Sequence, residues 1–132
     1  MNNKKFLALA GGLSLFAATA LEGVALAAPE LTVKCEVRTG SRSKISVDGK
    51  NLTGGDYTIV VTSNAGANSA STVKNVPGGA NDEFEADFDS NRGDIRRGAT
   101  AIASNFIVNG TVDATVTGPV NLSATNVACR VR

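Results

Sequence analysis

The amino-acid sequence predicts an all-β fold, an antiparallel two-sheet sandwich of about seven short strands. Three observations predict it. Apolar and polar residues alternate with the period of a strand through most of residues 31–131. Clusters of Gly, Pro and Asn separate the alternating segments at short intervals. No segment after residue 27 has apolar residues at helical spacing over the length of a helix.

The first three predicted strands follow one another with turn signals between them. Residues 31–37 alternate apolar side chains with charged or polar ones, as a strand with one buried face does. A turn at Gly40 leads to the second strand, residues 45–47. The third strand, residues 57–61, has the highest strand propensity in the chain, because Tyr, Thr, Ile and Val follow one another there.

The remaining predicted strands are residues 72–76, 84–88, 106–116 and 127–131. Pro77 and the two glycines after it end the first of these, and Gly110 predicts a bulge in the longest one. Residues 91–104 are irregular in pattern, with room for a turn of helix. The large residues on the predicted inward faces, which we expect to anchor the core, are Tyr57, Phe84, Phe88 and Phe106.

The number and length of these strands resemble those of immunoglobulin-like and fibronectin type III-like modules. This resemblance is one of pattern only, and it implies two packed antiparallel sheets. The chain departs from those families in one respect, since it contains no Trp to fill their buried Trp position. The alternative architecture is a small closed barrel of similar strand number.

Residues 1–27 have the layout of a bacterial secretory signal peptide. Two lysines precede an apolar run at residues 6–20, and Ala25 and Ala27 put small residues where a signal peptidase reads them. We predict cleavage after Ala27, which leaves residues 28–132 as one β-sandwich domain. The apolar run is shorter than the roughly 20 residues that a membrane-spanning helix needs, and no second run occurs in the mature chain. The predicted location is therefore periplasmic or extracellular.

Charge and composition exclude several functions. The chain has 13 Lys+Arg against 12 Asp+Glu, and the two signs balance once residues 1–27 are removed. Binding of nucleic acid through bulk charge is therefore not expected. The chain has no His, so neither a Ser-His-Asp or Cys-His catalytic pair nor a His-ligated metal is available. We expect no enzyme activity and no cofactor.

Cys35 and Cys129 are the two cysteines, at inward-facing positions of the first and last predicted strands. In an exported protein they are expected to form a disulfide, which in the chain-entropy model stabilises a loop of this length by on the order of 4–5 kcal/mol. A redox or metal-binding thiol pair is the alternative, but such pairs usually have close spacings such as Cys-x-x-Cys.

The acidic segment at residues 82–94 is the candidate binding site. Four carboxylates alternate on one predicted strand face, and the preferred interpretation is a solvated face paired with cations of neighbouring strands. A calcium loop is the alternative, because oxygen ligands recur at the spacing that Ca²⁺ uses. Arg92 stands where a calcium-binding EF-hand loop has Gly. The carboxylates are Glu83, Glu85, Asp87 and Asp89; the expected cations are Lys34, Arg38, Lys44 and Lys50; the candidate metal ligands are Asp87, Asp89, Asn91 and Asp94.

Within the same segment, Arg92, Gly93 and Asp94 spell the integrin-binding tripeptide. Because a match of three letters is common by chance, the tripeptide alone indicates little.

These observations lead to two hypotheses about function. The first is an exported, non-catalytic β-sandwich that acts as a binding or structural module outside the cytoplasm. Its partner is then an extracytoplasmic protein, a polysaccharide or further copies of the chain; a pilus subunit assembled by strand exchange is one sub-case. The second is an exported calcium or small-ligand binding protein that uses residues 82–94.

Overall fold

The computed structural model describes residues 27–132. The predicted signal peptide lies outside the described residues except for Ala27, the residue before the predicted cleavage site. In the described part the chain forms nine strands and one short helix. In chain order they are β1 (Glu30–Arg38), β2 (Arg42–Lys50), β3 (Gly55–Ser63), β4 (Asn68–Val76), β5 (Phe84–Asp89), α1 (Arg92–Arg96), β6 (Thr100–Ala101), β7 (Thr111–Thr117), β8 (Leu122–Ala128) and β9 (Arg130–Val131).

The strands form two sheets, which confirms the predicted all-β, two-sheet architecture. The described part has nine strands where about seven were predicted, because the two-residue strand β6 is added and the chain end forms β8 and β9 in place of one strand. Sheet A has the strand order β6-β5-β2-β1-β9, and sheet B has the order β4-β3-β7-β8. Most neighbours are antiparallel, but the two-residue strands β6 and β9 pair in parallel with β5 and β1. Both edges of sheet A are therefore very short strands, whereas sheet B ends on the longer strands β4 and β8.

The core lies between the sheets and contains the residues that the alternating pattern placed inward. Tyr57, Phe84, Phe88 and Phe106 are all buried, as predicted. The rings of Tyr57 and Phe84 pack with their centroids 5.9 Å apart, and the Tyr57 hydroxyl donates a hydrogen bond to the Thr53 carbonyl at 2.6 Å. Pairing of the Tyr57 hydroxyl lets a large polar-tipped ring fill the core without an unsatisfied donor.

The predicted strand at residues 106–116 is wrong in its first half, because β7 begins only at Thr111. Phe106 and Ile107 are buried but lie in a loop. The backbone N–H of Ile107 donates to the hydroxyl of Ser43, and that of Val108 donates to the hydroxyl of Ser63. Side chains from two other strands thus satisfy backbone groups that a sheet ladder otherwise pairs.

The end of the chain also differs from the prediction of a single strand at residues 127–131. The strand β8 ends at Ala128, and β9 begins at Arg130 on the other sheet. Between them, the backbone N–H of Cys129 donates to the Gly110 carbonyl at 2.8 Å. Cys129 is therefore the point at which the chain crosses from sheet B to sheet A.

A disulfide joins Cys35 of β1 to Cys129, as the sequence predicted. The bond links residues 94 positions apart, at the corner where the first and last strands lie side by side. Cys35 is buried and Cys129 packs against the core. The disulfide therefore holds the crossing segment against β1.

The outward side chains of sheet A form a surface that we call the charged face. Lys44 of β2 lies directly between Asp89 of β5 and Glu36 of β1, and Glu36 lies next to Arg130 of β9. These four residues form a row of alternating sign across four strands. On the same face Asp48 lies opposite Glu85, and Arg38 lies opposite Arg42.

The outward side chains of sheet B form a surface that we call the neutral face. Its central row is Ser71, Val60, Thr115 and Ser123 across the four strands. The only charged side chains at the outward positions of β3, β4 and β7 are Asp56 and Asp113, near the ends of their strands. The sandwich therefore presents two chemically different faces to solvent.

Candidate functional site

Asp89, the last residue of β5, corrects the expectation of a fully solvated acidic strand. By alternation it shares the outward side of β5 with Glu85 and Asp87, but its side chain is only 1% exposed. The Arg42 guanidinium binds it in a bidentate manner, with Nε 3.0 Å from one carboxylate oxygen and an Nη atom 2.6 Å from the other. A paired geometry of this kind is the one in which a buried charge is tolerated.

The pKa of Asp89 reports the balance of forces at this contact. Burial alone raises the pKa of the carboxyl group, but the hydrogen bonds from Arg42 and from the backbone N–H of Asn91 outweigh it. The positive charges of Arg42 and Lys44 act in the same direction, so the pKa of Asp89 lies below its usual range. Asp89 therefore stays ionised at neutral pH despite its burial.

Helix α1 begins shortly after Asp89 and adds a second carboxylate to this contact. Asn91 caps the helix, since its side-chain oxygen accepts from the backbone N–H groups of Gly93 at 2.9 Å and Asp94 at 3.2 Å. Asp94 then reaches back to Arg42 at 2.7 Å. The guanidinium of Arg42 is thus shared by two carboxylates, one from β5 and one from α1.

The four candidate metal ligands are not arranged around a common point. Asp89 and Asp94 both bind Arg42, and Asn91 is used as the helix cap. The exposed Asp87 accepts a hydrogen bond from the Ser46 hydroxyl at 2.7 Å. Among residues 27–132 no group of three or more Asp, Glu, Cys or His side chains is placed to hold a metal ion. The position that a cation could take between two of these carboxylates holds the Arg42 guanidinium.

The tripeptide Arg92-Gly93-Asp94 lies in the first turn of α1 and not in an extended loop. Both Gly93 and Asp94 donate their backbone N–H groups to the Asn91 side chain. The Asp94 carboxylate contacts Arg42 and, at 3.3 Å, Arg97. The carboxylate that such a motif must present to a receptor is therefore occupied within the protein.

A second candidate site, which the sequence did not indicate, lies on the charged face where β1 and β2 meet the chain end. It is an open depression of about 460 Å³, lined on its polar side by Lys34, Glu36, Lys44, Ser46 and Arg130. Glu36 is paired with Arg132 at 2.6 Å. The sequence signal for this site is the alternation of Arg130 and Arg132 with apolar residues. That signal does not reveal the pairing of β9 with β1, which brings the two arginines to Glu36.

The acidic half of the charged face is formed by β5 together with Asp48 near the end of β2. Asp48 lies directly across from Glu85, and like charges at opposed positions repel. Partial burial raises the pKa of Asp48, and the negative charge of Asp87 raises it further. None of the four lysines and arginines expected to neutralise the acidic strand forms an ion pair with it among the described residues; Arg42 does so instead.

No helix within residues 27–132 is long and apolar enough to cross a membrane. Comparison with known proteins gives no match: no family model fits the chain, and neither a curated protein nor a solved structure is significantly similar to it. Its function must therefore be argued from its own residues.

Proposed function

We propose that this protein is an exported, non-catalytic β-sandwich that acts outside the cytoplasm of a bacterium as a binding or structural module. The observation that carries the proposal is the disulfide between Cys35 and Cys129. Disulfides persist in oxidising compartments, and small exported domains use them to supplement a modest core. The signal-peptide pattern of residues 1–27 supports export independently of the disulfide.

The non-catalytic part of the proposal rests on the chemistry of the side chains. The chain has no His to act as a base near neutral pH. Asp89 is held ionised by Arg42, so it is not poised to exchange a proton near neutral pH.

We do not extend the proposal to calcium. Arg42 contacts the carboxylates of both Asp89 and Asp94, and displacing a guanidinium from a buried carboxylate opposes cation binding at that position.

Addition of a partner strand to either edge of sheet B has little support. Lys74 lies at an inward-facing position of the edge strand β4, and an inward charge discourages pairing with another strand. The other long edge, β8, has a register shift opposite Val112 and Ala114 and a left-handed residue at Asn126. A partner that contacts a face of the sandwich fits these edges better than one that extends a sheet.

The proposal is tested by expressing the gene with its own N-terminus in a bacterial host and measuring the intact mass of the protein in each fraction. We expect a product that begins at Ala28, in the periplasm or the medium, and that takes up no thiol-alkylating reagent until it is reduced. An Ala27→Phe variant is the control, because a large residue before the cut blocks processing. Cytoplasmic protein that retains Met1 and alkylates at both Cys35 and Cys129 would overturn the proposal.

A further inference from the structure

Three cations surround the depression on the charged face without a carboxylate partner in the described residues. Lys34, Lys44 and Arg130 line it, and none of them lies within 4 Å of an acidic oxygen there. Glu36 lies at the centre of the three, but Arg132 already occupies its carboxylate. The depression therefore has a surplus of positive charge in a protein whose basic and acidic residues nearly balance.

The register fixes the spacing of these cations. Lys34 pairs with Ser46 and so is the diagonal neighbour of Lys44, at about 7–8 Å between their Cα atoms. Lys44 and Arg130 are separated by β1, which puts them about 9.5 Å apart. Positions at these distances along an open surface let successive anionic groups of one chain each contact a different cation.

The acidic residues on the rest of the charged face limit where a polyanion can lie. The acidic side chains of β5 lie beyond β2 on the side away from β9, and Asp48 of β2 is the diagonal neighbour of Lys34 on the side away from Glu36. These carboxylates repel a polyanion. The favourable path therefore follows β1 and the chain end.

Neutral sugars are poorly served by the same surface. Protein sites for neutral sugars usually rely on exposed aromatic rings, and the aromatic rings among residues 27–132 are all buried in the core. Recognition at this depression must therefore depend on charge.

We propose that the depression formed by Lys34, Lys44 and Arg130 binds an acidic polysaccharide through its carboxylate or sulfate groups. The choice of a polysaccharide as the source of the anionic groups rests on the proposed extracytoplasmic function. The anion-binding chemistry of the depression does not depend on it.

The test is calorimetric titration of the purified protein at low ionic strength with polygalacturonate, dextran sulfate, neutral dextran and inorganic phosphate. Both anionic polymers are expected to bind, and neutral dextran is not. Raising the salt to about 0.5 M should abolish binding, because exposed charges are screened within a few ångströms. Comparison of the first two polymers separates carboxylate from sulfate recognition.

The decisive variant combines Lys34→Gln, Lys44→Gln and Arg130→Gln. Its matched control combines Lys50→Gln, Lys74→Gln and Arg96→Gln, which removes the same charge away from the depression. We expect the first triple variant to bind about ten-fold more weakly or worse, and the control to change affinity by less than about two-fold. A single Lys34→Glu variant repeats the test at one exposed residue on the outward side of β1, and it should also weaken binding. The result then does not depend on whether the triple variant folds.

Equal losses in the two triple variants would show attraction by bulk charge only and would overturn the proposal. So would the absence of binding to both anionic polymers, or binding of inorganic phosphate alone. An exported protein that binds neither polymer contradicts this site and leaves the proposed export intact. A cytoplasmic protein that binds both contradicts the proposed function and the polysaccharide source together.

Discussion

The two outer faces of this sandwich obey the same pattern of alternation but carry different chemistry. On the neutral face the central row is Ser71, Val60, Thr115 and Ser123, and the side chains form no ion pair in the described residues. On the charged face each row contains ionisable groups, and one of them, Asp89, is buried. Polar-out alternation is thus sufficient to specify a strand, but it does not distinguish a solvated face from one that builds contacts.

The neutral face shows what strand formation alone requires. Thr and Val have high strand propensity. Short hydroxyl side chains contact water and have little rotamer freedom to lose on folding. The charged face uses long side chains that lose rotamer freedom when they pair. Such a loss is compensated where burial strengthens the contact, as it does between Arg42 and Asp89.

The comparison predicts its largest effect at Arg42. The Arg42→Met variant leaves the Asp89 carboxylate buried without its bidentate partner, so we expect the free energy of unfolding to fall by about 3–5 kcal/mol. Arg38→Met is the matched control, since Arg38 lies directly opposite Arg42 but is exposed. Its effect should be within about 0.5 kcal/mol. Urea denaturation of both variants measures the difference.

Losses of equal size in the two variants would show that Arg42 acts only as one of several surface charges. In that case the buried contact between Arg42 and Asp89 would not contribute to stability, and the distinction between the two faces would not extend to energetics.

The second effect concerns the acidic strand itself. From the sequence we expect the double change Asp87→Asn with Asp89→Asn to cost less than about 1 kcal/mol, as for exposed pairs. The structure revises this expectation by separating the two residues. Asp89→Asn weakens hydrogen bonds to a charged partner and should cost about 1.5–3 kcal/mol, whereas Asp87→Asn should remain within about 0.5 kcal/mol.

The same carboxylate predicts how stability depends on pH. The folded pKa of Asp89 is below its unfolded value, so its contribution is present above about pH 4 and is lost as the pH falls through the lowered folded pKa. Denaturation curves from pH 7 to pH 2 should therefore decline less steeply in acid for Asp89→Asn than for the unmodified protein. Acid limbs of equal slope in the two proteins would show that Asp89 does not contribute to the loss of stability at low pH.

The sequence predicts most of the fold because alternation is local information. The strands around Tyr57 and Phe88 and the core aromatic residues follow from it. The Cys35–Cys129 pair follows from the presence of two cysteines in a chain expected to be exported. The buried contact of Asp89 with Arg42 does not follow, because the two residues are 47 positions apart in the chain. The loop that contains Phe106 does not follow either. Its backbone N–H groups donate to hydroxyl groups of distant strands and not to a neighbouring strand of a sheet.

The anion-binding depression is outside the reach of sequence patterns for the same reason. Lys34 and Lys44 lie on adjacent strands whose register could be inferred only approximately. Arg130 joins them through a parallel pairing of two residues, which alternation cannot predict. Sites of this kind depend on non-local register, whereas the faces that carry them depend on local period.

The smallest expected effect is a gain in stability at Asp48, where the charged face opposes its own folding. Partial burial raises the folded pKa of Asp48, followed in importance by the nearby charge of Asp87, and Glu85 lies directly opposite in the register. A carboxyl group with a raised folded pKa favours the folded state only below its unfolded pKa, and that contribution is lost as the pH rises through the folded value. At pH 7 the ionised group therefore destabilises the fold.

We expect Asp48→Asn to raise the free energy of unfolding by on the order of 0.5 kcal/mol at pH 7 and to have no such effect at about pH 3. Asp56→Asn on the neutral face is the control, because Asp56 accepts a hydrogen bond from Asn75 at 2.9 Å and lies opposite no acidic residue. Removal of its charge relieves no repulsion, so a gain at Asp56 equal to that at Asp48 would mean that the opposed carboxylates of the charged face are not the cause.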